Sequence, residues 1–153
     1  MILNIKTAVH AQIPQMAEVC ASCMSDDTEA SAGYDENYFA ASLKDSLLVS
    51  TITCDRIVRG VCVCDGSPIP DSCEITALYV SAGYQSHGFG KKLLSHSLRE
   101  MRARHYKTVF LWLDERNTRA SSFFKKIGFE ADGKKRIGDG SCLFYEIRYR
   151  IDI

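Results

Sequence analysis

Apolar positions recur along this chain with two alternating periods. "LNIKTAV" is a β-rich run, after which Ile13, Met16, Ala17, Cys20 and Met24 fall at helical spacing. Ile13 to Met24 therefore reads as an amphipathic helix with its stripe on a sheet, and Pro14 is acceptable in the first turn. Tyr38 to Leu43 reads as a short second helix. "LLVSTIT" and "RIVRGVCVC" are β-rich runs separated by "CD" and predict a hairpin, "DGSPIPD" is a loop, and "CEITALYV" is a fourth strand. Phe89 to Arg104 predicts a helix that buries Phe89, Leu93, Leu94, Leu98 and Met101 and turns Lys91, Lys92, Arg99 and Arg102 to water. "TVFLWL" is nearly continuous in apolar residues, as a strand covered on both faces should be. Asn117 then caps a helix striped by Ala120, Phe123, Phe124 and Ile127, which Gly128 ends. Phe129 to Arg136 and Cys142 to Ile151 flank the turn "IGDGS". In the last run Leu143, Tyr145, Ile147, Tyr149 and Ile151 share one face.

The connections constrain the topology. A helix separates "CEITALYV" from "TVFLWL", so those strands are expected parallel through a crossover, while the hairpins must be antiparallel. The expected fold is α/β (α+β): a mixed, mostly antiparallel sheet of six to seven strands flanked by about four helices, with one central parallel pair. A length of 153 residues, 46% of them hydrophobic and 25% charged, is that of one domain, residues 1–153.

Charge and cysteine content narrow the partners. Nineteen basic and nineteen acidic residues leave no net basic field, so nucleic acid is not an expected partner. No apolar run reaches a membrane span, and "MILNIKTAVH" lacks the basic and long apolar regions of a signal peptide, which predicts a cytoplasmic protein without membrane contact. Seven cysteines, an odd number, fit reduced thiols. "CASC" at Cys20 to Cys23 has metal spacing and "CVC" at Cys62 to Cys64 could complete a four-sulfur site. The other reading, which we favour, is that these cysteines lie on apolar faces as small buried hydrophobes, with no metal bound.

"YQSHGFGKKLL" carries the chemistry. Gly88 and Gly90 permit a tight turn in front of a helix whose first N–H groups and dipole favour a phosphate, and Lys91 and Lys92 oppose that dipole unless an anion occupies the turn. A dinucleotide fingerprint would need glycine where Leu93 stands, and a P-loop would need Lys and Ser or Thr where Phe89 and Gly90 stand. A plain strand-to-helix turn with solvated lysines is the alternative.

"LYVSAGYQSHGFGKKLL" resembles the acetyl-coenzyme A motif of the GNAT superfamily of N-acetyltransferases, an apolar strand before Gln/Arg-x-x-Gly-x-Gly/Ala, here Gln85, Gly88 and Gly90. "LWLDERNTRASSFFKKIGF" is similar to that family's strand, Asn-x-x-Ala helix and Gly-Phe turn, through Asn117, Ala120, Gly128 and Phe129. The resemblance implies acetyl-CoA as co-substrate. The backbone of Leu78, Tyr79 and Val80 would bond its pantetheine arm in a cleft where two strands splay. The main chain of Gln85, Ser86, His87, Gly88, Phe89 and Gly90 would wrap its diphosphate, with Asn117 and Phe124 beside the pantetheine and thioester. The implied reaction is direct attack by a primary amine, either a small cationic amine or a peptide or protein amino group, and the resemblance leaves room for a homodimer.

Such a reaction needs a proton acceptor, because an amine near the lysine value of about 10.4 is mostly protonated at neutral pH. Glu74, at the start of the cleft strand, is the first candidate, and Asp114 and Glu115 follow; each could instead be a solvated strand-end carboxylate. A main-chain N–H near Val80 would serve the oxyanion. Many relatives carry a tyrosine acid at the position of Phe124, and phenylalanine cannot donate a proton, so Tyr79, Tyr84, Tyr145 or water would replace it. The departure also opens a second reading, a non-catalytic acyl-CoA-binding or sensing domain. The resemblance implies that "SDDTEASAGYDENYF" and "KKRIGDGS" frame the acceptor, and the first is acidic, as a charge lure or a solvated loop.

Overall fold

The computed structural model describes residues 1–23, 33–138 and 144–153. Strand β1 (Leu3–Thr7) leads through a 3-10 turn (His10–Gln12) into helix α1 (Ile13–Cys23), which buries Met16, Val19 and Cys20. Helix α2 (Glu36–Asp45) follows; the Asp35 side chain caps it by accepting the Tyr38 N–H. Strands β2 (Leu48–Cys54) and β3 (Ile57–Gly66) form the predicted hairpin. Its turn is Asp55 and Arg56, both with positive φ, one residue later than "CD", because no glycine or asparagine signals it. Strand β4 (Ser72–Val80), helix α3 (Phe89–Ala103), strand β5 (Thr108–Asp114), helix α4 (Thr118–Ile127), strand β6 (Glu130–Ile137) and strand β7 (Tyr145–Asp152) complete the chain. Met24, Cys142 and Leu143, expected in elements, lie outside the described residues.

All seven strands form one sheet in the order β1-β2-β3-β4-β5-β7-β6, antiparallel throughout except for β4 and β5. Two cores result. Under α3 and α4 lie Cys62, Cys64, Cys73, Ile75, Leu93, Leu94, Leu111, Phe124 and Phe129; under α1 and α2 lie Val49, Val61, Val63, Ala77, Met16 and Phe39. The sheet thus divides Cys62 and Cys64 from Cys20, and the four sulfurs do not meet on one side.

Among the described residues, no helix packs on the outer face of β5. Phe110 and Trp112 lie instead beneath guanidinium groups: Arg148 is 4.4 Å from the Phe110 ring centroid, and Arg136 is 4.3 Å from that of Trp112. The apolar run predicted a strand covered on both faces, and stacked arginine side chains supply the second cover.

Candidate active site

The site begins with a pairing that stops early. β4 and β5 are in register only at Ser72↔Thr108, Cys73↔Val109 and Glu74↔Phe110, although β4 runs on to Val80 and β5 to Asp114. Just past Glu74, Thr76 is an extra residue opposite β3, since Ala77 pairs with Val63 and Ile75 with Cys64. The bulge reverses the alternation. Cys73 and Ile75 face the α3 side, whereas beyond Thr76 it is the even residues Leu78 and Val80 that do so, with Ala77 and Tyr79 facing α1. Among the described residues no strand pairs with this β4 edge beyond Glu74, and two of its carbonyls take side-chain donors: the Tyr34 hydroxyl donates to Thr76 O at 3.4 Å, and Val80 O accepts from Cys23 Sγ at 2.8 Å and Gln85 Nε2 at 3.2 Å.

At the open end the chain turns into α3. Ser86 (φ 69°) and Gly88 (φ 80°) are both left-handed, and Gly88 is the N-cap of α3 without a side-chain cap. Alternation of this kind gathers successive N–H groups into an anion-binding concavity, at the positive end of a fifteen-residue helix. A groove of about 630 Å³ joins this turn to the fork. Its walls are Leu78, Val80 and Tyr84 on one side and Ala120, Phe123 and Phe124 on the other. Lys91, Arg119 and Lys126 also line it, and no carboxylate does among the described residues. The groove therefore offers an apolar slot, an open strand edge and a cationic, amide-rich mouth.

Of the residues singled out from the sequence, Leu78, Val80, Gln85, Ser86, Gly88, Gly90, Asn117 and Phe124 converge on this groove. Tyr79 does not line it: its ring lies against Tyr34 on the α1 side, 5.1 Å between centroids, where burial raises its pKa. Phe89 is buried beneath the turn, and His87 is exposed 6.1 Å from it. Asn117 Oδ1 accepts the Ala120 N–H at 3.0 Å and fixes the start of α4. The phenyl ring of Phe124 is 7% exposed, wedged against Phe123 and Phe129. Arg119, Ser122, Phe123 and Lys126 were not singled out together, yet their i, i+3, i+4, i+7 spacing is one face of α4, and that pattern could have found them.

The two candidate carboxylates differ. Glu74 stands at the fork, half-buried, and burial raises its pKa; Arg136 opposes the rise, while Asp65, its register partner on β3, and Glu146 add to it. Asp65 itself accepts from Ser46 and, at 2.6 Å, from Thr76 Oγ1. Asp114 is held by Arg116, whose Nε and Nη2 donate to its two oxygens at 3.0 and 2.7 Å, and these bonds lower its pKa. Glu115 is exposed.

A family profile described as "Acetyltransferase (GNAT) family" matches residues 9–129. The chain belongs to this family. GNAT acetyltransferases take the acyl group from acetyl-CoA, and the groove described above fits that donor, with a slot for an extended arm and a cradle for its phosphates. The sheet, helices and parallel pair recur in solved structures. The ribosomal-protein-S18-alanine N-acetyltransferase of Escherichia coli superposes with a TM-score of 0.82 at 17% identity, over 99% of this chain and 94% of that one. A PaiA N-acetyltransferase from Thermoplasma acidophilum, in complex with coenzyme A, superposes at 0.76 and 18% identity over 97% and 98%. In sequence, a Mycobacterium tuberculosis protein named as a probable N-acetyltransferase is 37% identical over 65 residues, 42% of this chain. That match spans about a third (36%) of the mycobacterial protein's length. No helix among the described residues is long and apolar enough to cross a membrane.

Proposed function

We propose that residues 1–153 act as an acetyl-CoA-dependent N-acetyltransferase whose acceptor is a primary amine, a small cationic amine or a peptide or protein amino group. The observation that carries this is the fork. The β4–β5 pairing ends at Glu74, a half-buried carboxylate, and the β4 edge beyond it supplies Leu78 and Val80 to a groove that leads to the phosphate cradle.

Acetyl-CoA supplies the activated acyl group. The main chain from Leu78 to the Val80 N–H lies along the open edge, where an extended arm adds as a strand would, while the Val80 carbonyl is held by Cys23 and Gln85. The turn from Gln85 to Gly90 and the α3 N-terminus hold phosphates through N–H groups, with Lys91, Arg119 and Lys126 adding charge. Glu74 accepts the proton of the incoming ammonium, and its raised pKa brings it closer to working pH, where a base is effective. Asp114 serves less well, because bidentate bonding to Arg116 lowers its basicity. Position 124 supplies no proton; a thiol with a pKa of about 8.5 departs without a side-chain acid. The carboxylates Asp65, Glu74 and Glu146 near the fork, against Arg136, support a cationic acceptor.

The test is a thiol-release assay over polyamines, aminoglycosides, amino acids and peptides, with products checked by mass spectrometry and Gly88→Glu as the blocked control. We expect at least one amine to release thiol and gain an acetyl group with the native chain only. Coenzyme A binding without turnover on any amine would overturn the acceptor assignment and leave the donor site standing.

A further inference from the structure

We propose that Arg59 is a positioning residue for the phosphate-binding turn, a role that rests on the donor-site reading above. Arg59 is the unmatched residue of an irregularity in the β2–β3 ladder: Ile52 pairs with Gly60 and Thr53 with Val58, leaving it without a partner position. The irregularity sets it beside the end of β4. Its carbonyl accepts the Ser81 N–H at 2.8 Å, and its guanidinium carbon lies 4.2 Å from the centroid of the Tyr84 ring. Tyr84 is a groove residue, and its ring in turn stacks on Phe89, 6.0 Å away at 30°. Guanidinium, phenol and phenyl thus bracket the turn from both of its ends, Tyr84 where it begins and Phe89 where α3 starts.

Strand pairing does not account for this arginine. Its Nε is buried without a hydrogen-bond partner, and it forms no ion pair among the described residues. A buried cationic N–H left unbonded is costly, so a residue chosen only to continue β3 would be apolar, as its neighbour Val58 is. Two effects of Arg59 bear on the turn. The stack immobilises Tyr84 and so restricts the backbone that presents the N–H groups, and the positive charge lies close behind groups that receive a dianionic diphosphate. Both act on the phosphate end of the donor and neither on the acyl end.

The experiment compares Arg59→Met, which keeps the stem, and Arg59→Lys, which keeps the charge and loses the planar face. Calorimetry with coenzyme A is paired with kinetics on acetyl-CoA and on S-acetyl-pantetheine, which lacks the phosphates. For Arg59→Met we expect coenzyme A to bind about tenfold more weakly and the KM for acetyl-CoA to rise about as much, with kcat within about twofold and acetyl-pantetheine turnover unchanged. Arg59→Lys should recover part of the loss, because it restores the charge alone. Unchanged coenzyme A affinity in a folded Arg59→Met protein would overturn the proposal. So would equal losses on the two donors, which denote a merely structural role. Failure of the native chain to bind coenzyme A would instead overturn the donor site itself.

Discussion

The two glycines of the phosphate turn should respond to alanine in opposite directions. Gly88 sits at φ 80°, ψ 7°, and a Cβ added there meets nothing within 4 Å. The cost of Gly88→Ala is therefore all in the backbone, about 1–2 kcal/mol for an L-residue held in the left-handed region. Gly90 is different: it is helical, and its Cβ would lie 3.4 Å from Phe123 Cζ and 3.7 Å from Val80 Cγ2, ordinary contact distances. Exchanging glycine for alanine in a helix gains up to about 1 kcal/mol. For a chain of this size each kcal/mol moves Tm by about 2–4 °C, so Gly88→Ala should melt about 2–8 °C lower and Gly90→Ala up to about 4 °C higher. Binding should separate them further. If the strained turn relaxes, at least one N–H to phosphate bond is lost, and a hydrogen bond to a charged group is worth about 1.5–3 kcal/mol, or ten- to a hundredfold in Kd. Differential scanning calorimetry gives the first quantity and titration with coenzyme A the second. The reasoning is refuted if Gly88→Ala melts and binds like the native chain, or if Gly90→Ala loses as much affinity as Gly88→Ala.

Other sites give sharper single readouts. Gly60→Ala brings a Cβ to 2.7 Å from Ile52 Cγ2 and 3.2 Å from Tyr79 O, so urea unfolding should show a loss of about 1–3 kcal/mol. Glu74 has a folded-state pKa above its unfolded one, so its protonated form favours folding below the unfolded value and that contribution is lost as pH rises through the folded pKa. Glu74→Gln should accordingly be at least as stable as the native chain at neutral pH, by thermal melts, while the alkaline-rising limb of kcat/KM disappears. Asp114→Asn removes a surface pair with Arg116 and should cost no more than about 1 kcal/mol in urea titrations while leaving that limb in place. With Lys91, Arg119 and Lys126 on the groove, coenzyme A affinity should fall as sodium chloride is raised; a flat profile in salt-dependent titrations would remove their assigned role.

Helices α3 and α4 were legible because each buries one face: Phe89, Leu93, Leu94, Leu98 and Met101 in α3, and Phe124 with its neighbours in α4, repeat at the period their packing demands. The turn before α3, to which we assign phosphate binding, was legible as a turn for a different reason, since Gly88 is needed for a backbone conformation that other residues resist. Strand limits blurred where chemistry was ambiguous, as at Asp55 and Arg56, which make a left-handed turn without glycine. Tyr34 and Arg59 reach the site from a loop and a strand irregularity outside the two family motifs, and Arg119 occupies an unspecified position of the Asn-x-x-Ala motif.

The fork itself depends on something no pattern of residue types announces. "CEITALYV" reads as one alternating strand, yet one surplus residue at Thr76 reverses which side chains face which core. That reversal puts Leu78 and Val80, rather than Tyr79, toward α3 and the groove, and it falls two residues after the last β4–β5 pair. A bulge bends and twists its strand, so the same surplus residue that turns Leu78 and Val80 into the groove also carries β4 away from β5. Thr76 ties the bulge down on both sides, accepting the Tyr34 hydroxyl with its carbonyl and donating its own hydroxyl to Asp65. The opening of the cleft and the choice of side chains that line it are therefore one event, fixed by long-range register between β3 and β4.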